Sequence, residues 1–158
     1  MSDEKTYTEK EWHKKTAVDA FNACWDLIDK KDRTLQEDLE MIRRAHVSRW
    51  HWQHVGEPKN FAAGDWQCSR VYAILGRGEP ALIYAKESLR ECEEGGVTDF
   101  NLPFAHEACA RAYAALGDRA NFEKHYAEAK RLGETIEEKD DRDYFFQDLE
   151  AGNWFGMK

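Results

Sequence analysis

The chain has 158 residues, of which 42% are hydrophobic and 13% aromatic, and its formal net charge is −8. The length fits one domain spanning 1–158, and the apolar content is too high for a disordered chain. The negative charge argues against nucleic acid as a main ligand, because phosphate binding needs a cationic surface. No stretch approaches the length of a membrane span, and Met1–Lys5 has no apolar signal segment. We therefore expect a cytoplasmic protein without a membrane partner.

Two capping boxes predict the first two helices. Thr8–Glu11 opens a helix that runs to about Lys31, and Thr34–Glu37 opens one that runs to about Val55. In each box a threonine side chain and a glutamate three residues later satisfy each other's free backbone N–H groups. Gly56 is then expected to take the left-handed conformation that ends many helices.

Turn residues delimit the remaining helices. Asn60 is predicted to cap a third helix that covers Phe61–Leu75 and stops at Gly76. Four more helices are expected at about 79–94, 101–117, 120–133 and 136–151. No segment has the pattern of a strand, so the predicted fold class is all-α. The helices are expected to form hairpins at about 8–55, 60–94 and 101–133, followed by a terminal helix at about 136–151.

An internal repeat relates the third and fourth helices to the fifth and sixth. Over Ser69–Cys92 and Ala110–Gly133, seven of 24 aligned positions are identical, at a separation of 41 residues. A fixed period of this size is typical of stacked helical hairpins, in which each hairpin buries its apolar face against its neighbours.

The repeat resembles the tetratricopeptide superfamily. The matching residues are Tyr72, Leu75, Gly76, Ala81 and Leu89 in the first copy and Tyr113, Leu116, Gly117, Tyr126 and Ala129 in the second. The chain is also similar to small bacterial tetratricopeptide-like proteins of unassigned function. The resemblance implies a right-handed stack of three antiparallel hairpins with a capping C-terminal helix. It also implies that the first helix of each hairpin lines a concave groove. Phe122 departs from the pattern, standing where the first copy has Ala81, and would splay the second hairpin.

Polar residues interrupt the apolar stripe of the second helix. His46, Arg49 and Gln53 occupy positions where aliphatic residues are expected. An ionised arginine that faces a core needs a partner, because an unpaired buried charge is very costly. Either neighbouring acids and carbonyls satisfy these groups, or the groups line a ligand pocket.

The third and fifth helices carry further polar residues on the face that would line the groove. Glu107 and Arg111 stand at i, i+4, with the acid in the favourable N-terminal position. These residues either pair with one another or read a ligand. The candidate ligand-binding residues are His46, Arg49, Trp52, Asp65, Trp66, Ser69, Arg70, Tyr72, Phe104, Glu107 and Arg111.

Metal and cofactor sites are not predicted. Cys24, Cys68, Cys92 and Cys109 form no C-x-x-C pair and lie among apolar neighbours, which favours buried, reduced thiols over zinc. Neither an H-E-x-x-H motif nor a glycine-rich phosphate loop is present. His51 and His54 share a helix face, and beside two tryptophans they indicate a solvated aromatic surface rather than a metal site.

The C-terminal aromatic residues admit two interpretations. Trp154 and Phe155 follow an acidic helix that contains Phe145 and Leu149. The tail either folds back on the last hairpin as a cap or exposes an anchor for a partner, including a second copy in a homodimer.

The sequence favours a binding module that recognises a peptide or protein partner in its concave groove. In that interpretation Arg49, Arg70 and Arg111 would hold a carboxylate, and aromatic side chains would supply apolar contact. The alternative is a small-molecule sensor or an enzyme whose closed polar pocket is formed by His46, Arg49, Asp65, Glu107 and Arg111. No residue is assigned a catalytic role, because nothing in the sequence pairs a nucleophile with a base.

Overall fold

The protein is all-helical over the part of the chain that the structure describes. This computed structural model describes residues 4–158; Met1–Asp3, part of the N-terminal segment considered above, lie outside the described residues. None of the helices in 4–158 is long and apolar enough to cross a membrane. The predicted all-α class is confirmed by seven helices and no strand in this range: α1 Glu9–Ile28, α2 Leu35–Val55, α3 Pro58–Ile74, α4 Gly78–Gly95, α5 Asn101–Ala115, α6 Arg119–Gly133 and α7 Lys139–Glu150.

Both predicted capping boxes are confirmed. The Glu11 backbone N–H donates to Thr8 Oγ1 at 3.1 Å, and the Thr8 backbone N–H donates to Glu11 Oε1 at 3.0 Å. Thr34 and Glu37 make the same two bonds at 3.2 and 3.0 Å. Because these bonds join residues only three apart, they could be predicted without any knowledge of the tertiary structure.

The connection between α2 and α3 differs from the prediction. Gly56 has φ −91° and ψ −179°, so it is extended and not left-handed. The chain enters α3 almost at once, with Pro58 in the first turn, where its missing N–H costs nothing. Asn60 is therefore not the cap: it lies inside the first turn, and its side chain accepts from the Glu57 backbone N–H at 3.0 Å.

The repeat produces the same helix ending twice. Gly76 and Gly117 have φ +73° and +75°, the left-handed region that a residue without a Cβ enters most easily. The next backbone N–H then turns back to the helix, from Arg77 to Tyr72 O and from Asp118 to Tyr113 O, at 2.9 Å in both copies.

Consecutive helices pack side by side. α1 packs on α2, α3 on α4 and α5 on α6. Between these pairs, α3 contacts α2 and α5, and α4 contacts α5. Small side chains permit this close approach, as in the buried cluster of Ala73, Ala81 and Ala112. All four cysteines are buried free thiols, and burial raises the pKa of Cys24, Cys92 and Cys109 to about 12.

The C-terminal segment folds back on α5 and α6. Its helix α7 starts at Lys139, three residues later than predicted, because Ile136 turns into the core instead of joining the helix. Phe145 and Leu149 are fully buried against this pair, and Trp154 is only 5% exposed. The Trp154 ring lies 5.7 Å from the ring of Phe122. The capping interpretation of the tail is thus confirmed, and Phe122 contributes part of the surface on which the tail docks.

Candidate functional site

A buried polar network joins α3 to α5. Its centre is Glu107, whose side chain is completely buried. Trp66 Nε1 donates to Glu107 Oε2 at 2.9 Å. Arg70 Nη1 and Arg111 Nε both donate to Glu107 Oε1, at 2.7 and 2.6 Å. One carboxylate therefore receives an indole and two guanidinium groups.

The C-terminal segment completes this network. Arg70 Nη2 donates to Asp148 Oδ1 on α7 at 3.1 Å. Arg111 donates to two backbone carbonyls, to Asp148 O at 2.7 Å and to Ala151 O at 2.9 Å. The Arg111 guanidinium also lies 4.1 Å from the centre of the Trp154 ring, within cation–π range. The two arginines thus fasten α7 and the tail to the rest of the fold.

The charges of the network compensate one another. Burial alone would raise the pKa of Glu107, but Arg111 and Arg70, with hydrogen bonds from Arg111 and Trp66, hold that pKa below its ordinary value. Asp148 is in the opposite situation: burial and the nearby Glu107 charge raise its pKa to about 6, against the attraction of both arginines. Two guanidinium groups face two carboxyl groups, so the charges of Arg70 and Arg111 are balanced within the protein. Neither arginine is therefore free to bind a ligand carboxylate.

A second cluster surrounds Arg49 on α2. Arg49 Nε lies 3.1 Å from Asp65 Oδ2 on α3, and Arg49 Nη2 lies 3.8 Å from Glu91 Oε1 on α4. Arg49 Nη1 donates to Gln53 Oε1 at 2.8 Å, and the guanidinium lies 4.6 Å from the Phe61 ring centre. The charge of the arginine that interrupts the apolar stripe is therefore compensated by internal carboxylates, although the contact between Arg49 Nε and Asp65 Oδ2 does not have hydrogen-bond geometry.

Three carboxylates meet in this second cluster. Oxygen atoms of Asp65, Glu87 and Glu91 lie within 4.8 Å of one another. Burial raises the pKa of Asp65 to about 6, Arg49 opposes that rise, and the two glutamates add to it. Such a set could ligate a divalent cation, but Arg49 already lies among these carboxylates as their counter-ion.

His46 belongs to a third cluster. His46 Nε2 and Tyr72 Oη are 2.9 Å apart, and Cys68 Sγ lies 3.7 Å from His46 Nδ1. The Tyr72 ring stacks on Tyr84 at 5.9 Å. Burial lowers the pKa of His46, which favours the neutral imidazole that such a hydrogen bond uses.

The remaining predicted residues have simpler surroundings. Ser69 is buried and donates to Ala81 O at 2.7 Å, which ties α3 to α4. Trp52 is half-buried and closes over Gly56, where a Cβ would lie 3.0 Å from the indole. Phe104 is half-buried, and its ring packs edge-on against Trp66 at 5.5 Å.

The predicted site residues are therefore divided among separate places. Trp66, Arg70, Glu107 and Arg111 come together as expected for a network on the first helices. His46 and Arg49 line an open depression on α2, whereas Arg111 lines a cavity beside Arg70. The five residues of the enclosed-pocket hypothesis are thus not assembled around one cavity.

An aromatic cleft is the feature that the sequence did not predict. It has a volume of about 190 Å³ and lies between α1 and α7, with α3 and α5 beneath. The Trp25 ring lies 5.7 Å from the Trp66 ring, and Tyr144 is 54% exposed. The only sequence signal was the spacing of Phe21, Trp25 and Ile28 along one face of the first helix. The lining residues are Phe21, Trp25, Ala63, Trp66, Phe100, Asn101, Phe104 and Tyr144.

Two pairs of histidines also meet between the paired helices of a hairpin. His13 Nδ1 and His51 Nδ1 are 2.8 Å apart, and His54 stacks on His13 at 4.3 Å. His106 Nδ1 and His125 Nδ1 are 3.1 Å apart. In each pair one nitrogen donates and the other accepts, so both rings cannot be protonated without breaking the bond. The sequence placed His51 on a solvated surface, but its side chain is buried against His13.

Comparison with known proteins does not assign this chain to a family: no protein-family profile, curated protein or solved structure matches it. The functional argument therefore depends on the geometry of the chain itself.

Proposed function

We propose that the chain is a tetratricopeptide-like binding module, a stack of three helical hairpins with a capping helix, that recognises a peptide or protein partner in its concave groove. The observation that carries this proposal is the cleft in which the exposed rings of Phe100 and Tyr144 stand over the buried ring of Trp66. Clustered aromatic side chains of this kind dominate the binding energy of many protein interfaces.

The cleft is part of a longer groove. Trp25 and Tyr144 also line a neighbouring cavity of about 480 Å³, which reaches Arg70 and Asp148. Arg70 in turn lines a further cavity of about 270 Å³ between α1 and the tail. A row of adjoining open cavities suits an extended chain better than a compact small molecule.

The buried network supports binding by holding the groove rigid. Glu107 and the two arginines fix α3, α5 and α7 relative to one another, and these helices carry most of the cleft. A groove that is formed before binding avoids part of the ordering cost of association. This role replaces the expectation that Arg70 and Arg111 bind a partner's carboxylate, since both are already paired. The enclosed-pocket alternative receives less support, because its five residues lie in separate clusters.

Peptide selection tests the proposal. A randomised displayed-peptide library is selected on the wild-type chain, and the recovered peptides are measured on a groove variant, Trp25→Ala with Tyr144→Ala. We expect the selected peptides to lose at least about tenfold in affinity, the loss typical of an aromatic hot spot. Trp12→Ala is the matched control, because Trp12 is 49% exposed and does not line the cleft. Peptides that bind the groove variant and the control equally well would contradict the proposal.

A further inference from the structure

The aromatic cleft opens beside an acidic depression. Phe100 lines both the cleft and a neighbouring cavity of about 410 Å³ at the N-terminal ends of α5 and α7. That cavity is lined by four carboxylates, Asp99, Glu137, Glu138 and Asp141, and by no lysine or arginine. One continuous surface therefore presents aromatic rings and then carboxylates that form no ion pair with any residue in 4–158.

The aromatic rings are themselves suited to a cation. Six of the eight residues that line the cleft are Phe, Trp or Tyr. The face of an aromatic ring carries negative electrostatic potential, which attracts a guanidinium or ammonium group. Among the described residues, Arg70 is the cation within cation–π range of a cleft ring, 5.9 Å from the centre of the Trp66 ring, and Glu107 and Asp148 neutralise it. Repulsion from within the protein is therefore small.

We propose that the groove continues from the aromatic cleft into the acidic depression and binds a basic peptide segment there, with one arginine or lysine side chain in the cleft and a second against the four carboxylates. The inference rests on the function proposed above and names the chemistry of its partner. Alternate side chains of an extended peptide point the same way, so a segment with basic residues at alternate positions supplies both groups. The net charge of −8 favours the same partner, because a protein of that charge attracts basic peptides and repels acidic ones.

Three defined peptides distinguish this inference from the broader function. Each is short and capped at both ends, and each alternates serine with arginine, glutamate or norleucine. Binding is measured by fluorescence anisotropy at physiological ionic strength, and the contact surface is mapped by amide and indole NMR shifts. We expect the arginine peptide to bind at least about tenfold more tightly than the norleucine peptide, which has a similar apolar stem without the charge.

Two variants locate the binding. Trp25→Leu is expected to weaken the arginine peptide about tenfold by removing a ring from the cleft. Glu138→Gln with Asp141→Asn is expected to weaken it several-fold by removing two charges from the depression. The controls are Trp12→Leu and the charge-matched pair Glu4→Gln with Glu79→Gln, all at exposed positions that line neither the cleft nor the depression. The controls should leave the affinity within about twofold of the wild type.

Each outcome has a definite meaning. If the groove variants and the controls weaken the arginine peptide equally, the attraction is diffuse and the inference is overturned. If the norleucine or glutamate peptide binds the groove as well as the arginine peptide, the inference is overturned and the binding function stands. If none of the three peptides shifts the indole NMR signals of Trp25 and Trp66, and selection also yields no groove-dependent peptide, the inference and the proposed binding function are both overturned.

Discussion

The indole of Trp66 donates a hydrogen bond to the buried carboxylate of Glu107 at 2.9 Å, and these two residues occupy equivalent positions of the 41-residue repeat. The first copy thus supplies an aromatic donor where the second copy supplies an acceptor. Trp66 also forms part of the floor of the aromatic cleft. Trp66, which a partner in the cleft would contact, is therefore held in position by the same hydrogen-bond network that holds α7.

Replacing Trp66 by Phe tests this relationship. The substitution keeps an aromatic ring but removes the indole N–H, so Glu107 loses one donor and keeps its two arginines. We expect the free energy of unfolding to fall by about 1.5 to 3 kcal/mol, the usual cost of losing a hydrogen bond to a charged group. Urea unfolding measures the change. Trp12→Phe at an exposed site is the control, and an equal loss in both variants would refute the assigned role of the indole.

Replacing Arg111 by Leu should destabilise the whole fold. The change leaves Glu107 with less positive charge and frees the carbonyls of Asp148 and Ala151. Breaking a buried ion pair costs about 3 to 5 kcal/mol, so we expect the melting temperature to fall by about 10 °C. Thermal unfolding followed by circular dichroism measures this. Arg90→Leu, which removes a solvent-exposed set of ion pairs, should change the melting temperature little. A small effect of Arg111→Leu on melting would contradict the structural role assigned to this arginine.

Gly152 and Gly156 provide a matched pair at the C-terminus. Both have positive φ, +84° and +78°, so alanine strains the backbone at either position. At Gly152 a Cβ would also lie 2.8 Å from Arg111 Nη1, whereas at Gly156 it would meet open space. We expect Gly152→Ala to cost about 2 kcal/mol more than Gly156→Ala, since it adds a clash and displaces the buried guanidinium. Chemical denaturation of the two variants gives the difference directly, and equal losses would show that the tail does not depend on this contact.

Acidification should destabilise the fold through His106. Burial and the neighbouring His125 lower the pKa of His106 to about 4, against an ordinary value of 6.5. Between these values the unfolded chain binds a proton that the folded chain does not, so stability is lost as the pH falls from about 6.5 towards 4. Allowing for partial solvent screening, the contribution is about 1 to 2 kcal/mol. Melting temperatures of the wild type and His106→Gln across this range measure it.

The stability advantage of the wild type over His106→Gln should shrink as the pH is lowered. His54→Gln serves as the control, because that side chain is exposed. A stability difference between wild type and His106→Gln that stays constant from neutral pH to about pH 4 would contradict the assigned protonation behaviour.

Much of the local structure follows from neighbouring residues in the chain. Thr8 and Thr34 cap their helices as predicted, and Gly76 ends α3, because each of these features depends on residues only a few positions away. The predicted start of α3 was wrong because the local sequence allows more than one start. Asn60 and Glu57 both satisfy first-turn patterns, and the packing of Pro58 against Gly95 of α4 accompanies the earlier start.

The contacts of the candidate site, in contrast, depend on residues that are far apart in the chain. The sequence placed Arg70, Glu107 and Arg111 together on the first helices, since a 41-residue repeat puts equivalent positions on equivalent faces. It could not show that Arg70 pairs with Asp148, which lies 78 residues further along the chain. The acid that takes the place expected for a partner's carboxylate thus comes from the protein's own terminal helix.

By itself, the sequence determined the helical class, the helix caps and the equivalence of the two repeat copies, because periodicity and capping act over a few residues. Only the tertiary structure decided what the polar residues contact and that Phe21 and Trp25 face Trp66 and Tyr144 across a cleft. The physical reason is that these contacts join helices far apart in the chain. Their formation depends on how α1 and α7 dock on the hairpins between them, and no local pattern encodes that docking.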